Sequence, residues 1–234
     1  MKSDYRILQA GDSAVTVEFD ERIDPAINAR AIALAESLTA QPLEGVRDVV
    51  PTYRSVAVYF DPARTDLPRL ITTLEREAVK PQPPVNADQP VVRIPVCYGG
   101  PFGPDLEGMA AIAGMSEEEF VGCHVAVRYR VFMLGYVPGF AYLGTVDSRI
   151  AVPRLKTPRV RVPRGAVGIA GTQTGIYPSE TPGGWQILGR TPIRMFDLSR
   201  RQPFLLRPGN SVEFYRIAAD EFEKTAEAER KAAA

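Results

Sequence analysis

Cysteine is nearly absent from this sequence. Cys97 and Cys123 are the only two, too few for a disulfide framework and in keeping with a reducing compartment. Histidine and tryptophan occur once each, as His124 and Trp185. Two cysteines and one histidine cannot supply the four ligands of a structural zinc site, so a metal ligand set built from these residue types is excluded. No run of about 18 apolar residues is present to cross a bilayer. The opening MKSDYRILQAGDSAVTVEF lacks the apolar core of a secretory signal. Net charge is lacking too: 28 basic residues meet 28 acidic ones, which leaves no overall field toward nucleic acid or an anionic membrane. A cytoplasmic protein with neither of those partners is the expectation.

Proline (21) and glycine (19) are plentiful, and they thicken after residue 81 without any low-complexity repeat. Many short punctuated segments read as many turns between strands. Before that point strand and helix signals alternate. Val15, Val17 and Phe19 share one face of a strand, and Ile27, Ala31, Leu34, Ala35 and Leu38 recur at helical spacing. Val46–Tyr53 and Ser55–Phe60 read as strands, followed by a second helix after Asp66 with Leu67, Leu70, Ile71, Leu74 and Ala78 on its apolar face. This order predicts an α+β domain over residues 1–80, an antiparallel sheet with helices on one face. KPQPPVNADQP holds four prolines and predicts a semi-rigid linker at 81–90. Residues 91–218 then predict a mainly-β barrel, with a capping-box pattern at Ser116 and Glu119 and strands in VRYRVFMLG, VGIAG, TGIYP, WQILGR, FLLRPG and VEFYRI. The polar tail, 219–234, reads as a frayed helix or a disordered end.

Residues 128–164 carry eight basic side chains, among them Arg154, Arg161 and Arg164, against the single acid Asp147. Guanidinium forks suit phosphate or carboxylate, which marks Arg161 and Arg164 as candidate anion contacts; solvated or partner-paired arginines are the plainer alternative. GTQTGIYPSETPGGWQ is the densest turn-forming stretch. It offers Gln173, Thr174 and Tyr177 as substrate or nucleotide contacts and Glu180 as a base or Mg²⁺ ligand, against the alternative of a loop that caps its own backbone. His124 is the one group with an ordinary pKa near neutrality and so a candidate acid or base, although lone histidines more often serve structure. Phe140, in the PGF turn, is a candidate pocket or partner contact and Trp185 a candidate partner-interface residue, against the alternative that each is a core aromatic. The GGPFGPD loop at 99–105 precedes a helix and could cradle phosphate, but it lacks the lysine and hydroxyl of a P-loop.

Several long strings carry a resemblance. IPVCYGGPFGPDLEGMA (94–110), YRVFMLGYVPGFAYLG (129–144), PRLKTPRVRVPRGAVGIAGTQTGIYPSETPGGWQILGRTP (153–192) and LLRPGNSVEF (205–214), together with GDSAVTVEF (11–19), resemble the allophanate hydrolase subunit 1 family. Tyr136 stands where that family's LGF-x-PGF string has phenylalanine. The family takes in the B-type component of bacterial ATP-dependent 5-oxoprolinase and an inhibitor of a sporulation histidine kinase. The resemblance implies a cyclophilin-like barrel, ATP and Mg²⁺ as cofactors, and partner components of the C and A types; if Trp185 is an interface residue, the C-type component is the preferred partner for it. It implies hydrolysis of 5-oxo-L-proline to L-glutamate at the expense of ATP, in a complex whose single components are inactive alone. A kinase-inhibiting interaction protein and an allophanate or urea amidolyase-type amide hydrolase are the alternatives it leaves open. A prolyl isomerase, suggested by the barrel alone, has no supporting motif, since fold does not set function.

Overall fold

The computed structural model describes residues 4–80 and 91–231, so the proline-rich linker expected at 81–90 lies outside the described residues. The chain divides into two compact units, residues 1–88 and 89–234.

The first unit opens with β1 (Arg6–Gln9) and β2 (Ala14–Glu18), followed by α1 (Pro25–Ala40), β3 (Val46–Pro51), β4 (Ser55–Phe60) and α2 (Leu67–Ala78). The sheet runs β1-β2-β4-β3, antiparallel throughout. Both helices begin where an aspartate satisfies first-turn amides. Asp24 accepts from the Ala26 and Ile27 N–H groups, and Asp66 from that of Arg69. Val15, Val17, Val56 and Val58 on one sheet face pack against Leu34 and Leu38 of α1 and Leu70 and Leu74 of α2. Strand β1 was not picked out from the sequence, because its edge position leaves it without an alternating apolar face. Glu77 on α2 is buried, and its carboxylate accepts from Ser37 Oγ (2.6 Å), Lys80 Nζ (2.6 Å) and Arg76 Nε (3.2 Å).

The second unit runs β5 (Val91–Tyr98), α3 (Leu106–Ala113), α4 (Glu117–Val125), β6 (Arg128–Leu134), β7 (Ala141–Gly144), β8 (Arg159–Val162), β9 (Ala166–Ala170), β10 (Gln173–Ile176), β11 (Thr181–Gly183), β12 (Gln186–Arg190), β13 (Ser211–Arg216) and α5 (Ala219–Lys231). Seven of these strands close a barrel in the order β10-β7-β6-β13-β5-β12-β9, in which only β5 and β13 pair in parallel. The Ser116–Glu119 capping box starts α4. Strand period 2 divides the side chains between two clusters. Val167 and Ile169 of β9 and Leu188 of β12 join the main core with α3 and α4, while Ala166, Ala170 and Ile187 join a smaller cluster around Phe140, Tyr177 and Trp185. That second cluster includes Val162 of β8, which pairs with β11 as a separate two-stranded sheet.

Two expectations are corrected. FLLRPG is not a strand: Phe204 makes one isolated bridge to Phe196, and Gly209 turns the chain into β13 with a φ of 89°. The polar tail is not frayed over its described part. Residues 219–231 form α5, which buries Phe222 and Ala226 against Cys97 and Ile217, and its Glu229 accepts from the Arg194 backbone N–H. The apolar stripe is short enough to be lost among the flanking charges. No helix among the described residues is long and apolar enough to cross a membrane.

Candidate functional site

The turn from β6 into β7, Tyr136–Phe140, runs through two left-handed residues, Tyr136 (φ 69°) and Gly139 (φ 86°). A non-glycine residue in that region is uncommon and needs its surroundings to hold it. Here the Tyr136 hydroxyl donates to the Pro182 carbonyl at 2.6 Å, tying the turn to β11. The hydroxyl that departs from the family string therefore has a structural partner. Gly139 is required, since a Cβ there would stand 2.7 Å from that of Phe196.

This turn delivers Phe140 to the centre of an aromatic cluster. Tyr142, Tyr177, Trp185 and Tyr136 meet its ring edge-to-face, with centroids 4.9, 5.3, 5.4 and 5.6 Å away. Such pairs are each worth about 0.5–1.5 kcal/mol beyond the area they bury. Glycines make the room. A Cβ on Gly183 would lie 2.3 Å from the Tyr177 hydroxyl, and one on Gly175 would lie 3.0 Å from Trp185. The result is a cleft of about 270 Å³ lined by Tyr136, Phe140, Tyr142, Tyr177, Trp185 and Arg154, with Pro158, Pro182, Gly183 and Gly184 along its rim.

The electrostatics of the cleft are simple. Burial pushes the Tyr177 phenol up to about 12 and raises that of Tyr142, so both stay neutral at pH 7. Arg154 lies over the Trp185 ring, 5.9 Å from its centroid, and has no carboxylate partner among the described residues. Flat aromatic walls beside one guanidinium suit a small planar ring that carries a carboxylate.

The predicted site residues fall into five places. Phe140, Tyr177 and Trp185 come together in this cleft. Phe140 and Trp185, expected to face a partner, are 2% and 5% exposed, because their surface is used up inside this chain. His124 and Thr174 meet in the barrel core, both fully buried, with Nε2 3.0 Å from the Thr174 hydroxyl and Nδ1 2.9 Å from that of Tyr98. Burial holds the imidazole down to about 3, so it is neutral and walled off from solvent. An acid–base role at an open site does not fit that position. Glu180 and Arg161 pair with each other on the exposed β8–β11 sheet, at 2.6 Å. Arg164 lies apart from all of these, half-buried among other arginines. Gln173 opens β10, partly buried.

The local excess of positive charge also looks different in three dimensions. Arg128, Arg149, Arg159 and Arg161 bind Glu213, Asp147, Asp105 and Glu180, and three of those acids come from outside residues 128–164. Asp105 closes the GGPFGPD loop onto β12 by accepting from the Ile187 N–H at 2.6 Å, which gives that loop a packing role rather than a phosphate cradle. Tyr136, Tyr142 and Arg154 were missed as site residues. Their signal was present in the aromatic spacing of YVPGFAY. A larger concavity of about 550 Å³ in the first unit is lined by charges already paired with one another, Arg6 with Glu18 and Glu21, and Arg22 with Asp20.

Comparison with known proteins places the chain in a family. Residues 5–206 match the model of the carboxyltransferase domain, subdomain C and D. A curated relative, the B component of 5-oxoprolinase from Bacillus subtilis (strain 168), is 40% identical over 93% of this chain and 95% of its own. A crystal structure of TTHA0988 superposes with a TM-score of 0.79 at 40% identity, over 88% of this chain and 40% of that longer one. The urea amidolyase of K. lactis shares the fold, with a TM-score of 0.78 at 22% identity over 96% of this chain and 15% of that enzyme.

Proposed function

Because this chain belongs to the carboxyltransferase-domain family, subdomains C and D, together with the B components of 5-oxoprolinases, we propose that it is the B-type component of an ATP-dependent 5-oxoprolinase. It works in a complex with C-type and A-type partners, converts 5-oxo-L-proline to L-glutamate and is inactive alone. The observation that carries this reading is the 40% identity to a 5-oxoprolinase B component along nearly the full length of both chains. The aromatic cleft supports it, since a five-membered lactam with one carboxylate matches flat walls beside Arg154.

A lactam is a resonance-stabilised amide, and water opens it slowly. Transfer of the γ-phosphoryl group of ATP to the lactam oxygen releases ADP and makes C5 electrophilic. Water adds there, and the C–N bond breaks to leave the freed amine and an acyl phosphate. A second water hydrolyses that acyl phosphate to glutamate and phosphate. In this scheme the chain's own residues bind and orient: Arg154 holds the substrate carboxylate, the aromatic cluster centred on Phe140 forms the wall against which the ring lies and excludes water from that side, and the neutral Tyr142 and Tyr177 phenols donate hydrogen bonds. No group of three or more His, Cys, Asp or Glu side chains capable of holding a metal occurs among the described residues, and Glu180 is engaged by Arg161. The described residues thus offer no clustered carboxylates for Mg²⁺, and this reading assigns the metal and most nucleotide contacts to the partners. The exposed β8–β11 sheet, with Val160 at 82% exposure, is the surface proposed to meet the C-type partner.

The test mixes the chain with its C-type and A-type partners, 5-oxoproline and ATP, and measures glutamate and phosphate. Equal release of both, absent when any component is omitted, is expected. Arg154→Gln should raise KM for 5-oxoproline roughly tenfold, the loss of one charge-assisted contact. A folded, complete set that makes no glutamate would overturn the reading in favour of the kinase-inhibiting one.

A further inference from the structure

Arg164 belongs to a second assembly, built where the β12 exit meets α5. Arg190 ends β12, and its Nε donates to the Arg164 carbonyl at 2.8 Å. Gly165 holds the two chain segments together. Its φ of 82° is left-handed, a Cβ there would lie 2.2 Å from the Thr191 carbonyl oxygen, and its own carbonyl accepts from the Thr191 N–H at 2.8 Å. Glu229 of α5 accepts from the Arg194 backbone N–H and from Arg200 Nη2, each at 3.1 Å, while Arg200 Nη1 donates to the Arg194 carbonyl at 2.9 Å. Asp197 is 3.8 Å from Arg194.

The charges of Arg190, Arg194 and Arg230 all act on Arg164, while the nearest ion pairs of Asp197 and Glu229 are with Arg194 and Arg200. Two of the donors are orphaned. Arg164 Nη1 and Arg194 Nε are buried and have no hydrogen-bond partner among the described residues. A buried donor left without an acceptor costs about 1–3 kcal/mol, more when it is charged, so two in one cluster point to an anion that completes it. The Arg164 guanidinium is held below its usual pKa, by burial first and then by the neighbouring Arg194 and Arg190 charges, which the Glu229 carboxylate offsets only in part, and an added anion would offset them further.

We propose that this arginine cluster is an oxyanion site of phosphate type, with Arg164 and Arg194 as its principal donors. Donors arriving from separate segments suit a tetrahedral group with several acceptor oxygens better than a planar carboxylate, and the surplus of positive charge suits a dianion. The site is separate from the aromatic cleft and does not rest on the oxoprolinase reading.

The test is calorimetric titration of the full chain with inorganic phosphate at pH 7.5 and fixed ionic strength, with parallel arms using chloride, acetate and ATP. Saturable binding of phosphate above chloride and acetate is expected, weakened about tenfold or more by Arg164→Gln. Glu229→Gln removes the competing carboxylate and should tighten binding, while Arg161→Gln, at the exposed pair with Glu180, should leave it unchanged. If Arg164→Gln does not fold, Arg194→Gln replaces it and is read in the same way. Tighter binding of ATP than of phosphate makes the anion part of a nucleotide, and equal binding makes it free phosphate; either supports the site. Equal affinity in wild type and arginine variants, preference for acetate, or no saturation above chloride overturns it. Because the titration needs neither partner chains nor lactam, its failure is distinct from failure of the glutamate assay.

Discussion

Acid should loosen the barrel through one side chain. Thr174 donates its only hydroxyl hydrogen to the Gly168 carbonyl at 3.0 Å, so toward His124 it acts as acceptor, and Nε2 carries the imidazole hydrogen. Nδ1 is then the acceptor of the Tyr98 hydroxyl at 2.9 Å. Protonating Nδ1 sets two donors against each other in a fully buried site, stacked on Phe214, and the ring is held down to about 3. The folded pKa lies below the unfolded value of 6.5, so the unfolded chain takes up the proton first. Stability from this group is complete above pH 6.5 and is lost as pH falls toward 3, at about 1.4 kcal/mol per unit. Between pH 7.5 and 4.5 the expected loss is about 2–3 kcal/mol. Urea unfolding followed by the fluorescence of Trp185, the sole tryptophan and a residue of the barrel unit, measures it. His124→Gln should be less stable than wild type at pH 7.5, and the gap should narrow by about the same 2–3 kcal/mol at pH 4.5. Carboxylates common to both proteins cancel in that difference. A gap that stays constant across the range refutes the reasoning.

Gly183→Ala places a methyl group 2.3 Å from the Tyr177 hydroxyl, so it should destabilise the barrel by about 1–3 kcal/mol and shift Trp185 emission. Adding Tyr177→Phe should recover part of the loss, and no recovery would mean that the clash is not the cause. Glu77 is held down to about 2, chiefly by the Lys80 ammonium and then by the Ser37 hydroxyl. Its stabilisation is complete above pH 4.5 and lost as pH falls toward 2. Because Lys80 and Arg76 are largely solvated, Glu77→Gln should cost the first unit only about 1–2 kcal/mol at pH 7, read by far-UV circular dichroism while Trp185 emission is unchanged. Phe222→Ala should free α5, raising hydrogen exchange of its amides while the barrel strands stay protected; loss of barrel protection as well would show that the helix is integral to the core.

Much of the fold was legible because its signals are local. The alternation of Val15, Val17 and Phe19, the helix period from Ile27 to Leu38 and the Ser116–Glu119 box each state a conformation within a few residues, and the structure places a strand, a helix and a cap there. What failed to show was set by tertiary contact. Strand β1 is an edge strand held by pairing to β2. Helix α5 has its one large apolar anchor, Phe222, in a run of charges, and tertiary packing makes that anchor count, with Phe102 at 4.7 Å between ring centroids and Cys97 and Ile217 in the same cluster. The polar string around Thr174 suggested a binding loop, whereas the alternation of β10 turns that hydroxyl inward to His124.

Charge is where local reading misleads most, and the reason is general. A basic run in sequence becomes a basic surface only if the acids that neutralise it are not brought in by the fold. Here Asp105, Glu180 and Glu213 arrive from other segments and neutralise Arg159, Arg161 and Arg128. Arg154 and Arg164 meet no carboxylate within ion-pair distance among the described residues. Arg164 sits where water is partly excluded, among other guanidinium groups, and there an unpaired charge is expensive to hold; Arg154 is exposed and lies over an indole ring. A folded chain keeps such a charge when something else accepts it. Arg164 and Arg154, which the fold leaves without an ion pair among the described residues, are therefore better pointers to ligands than the eight basic residues counted along the sequence. They predict different anions, the carboxylate of a flat ring at one and a phosphate group at the other.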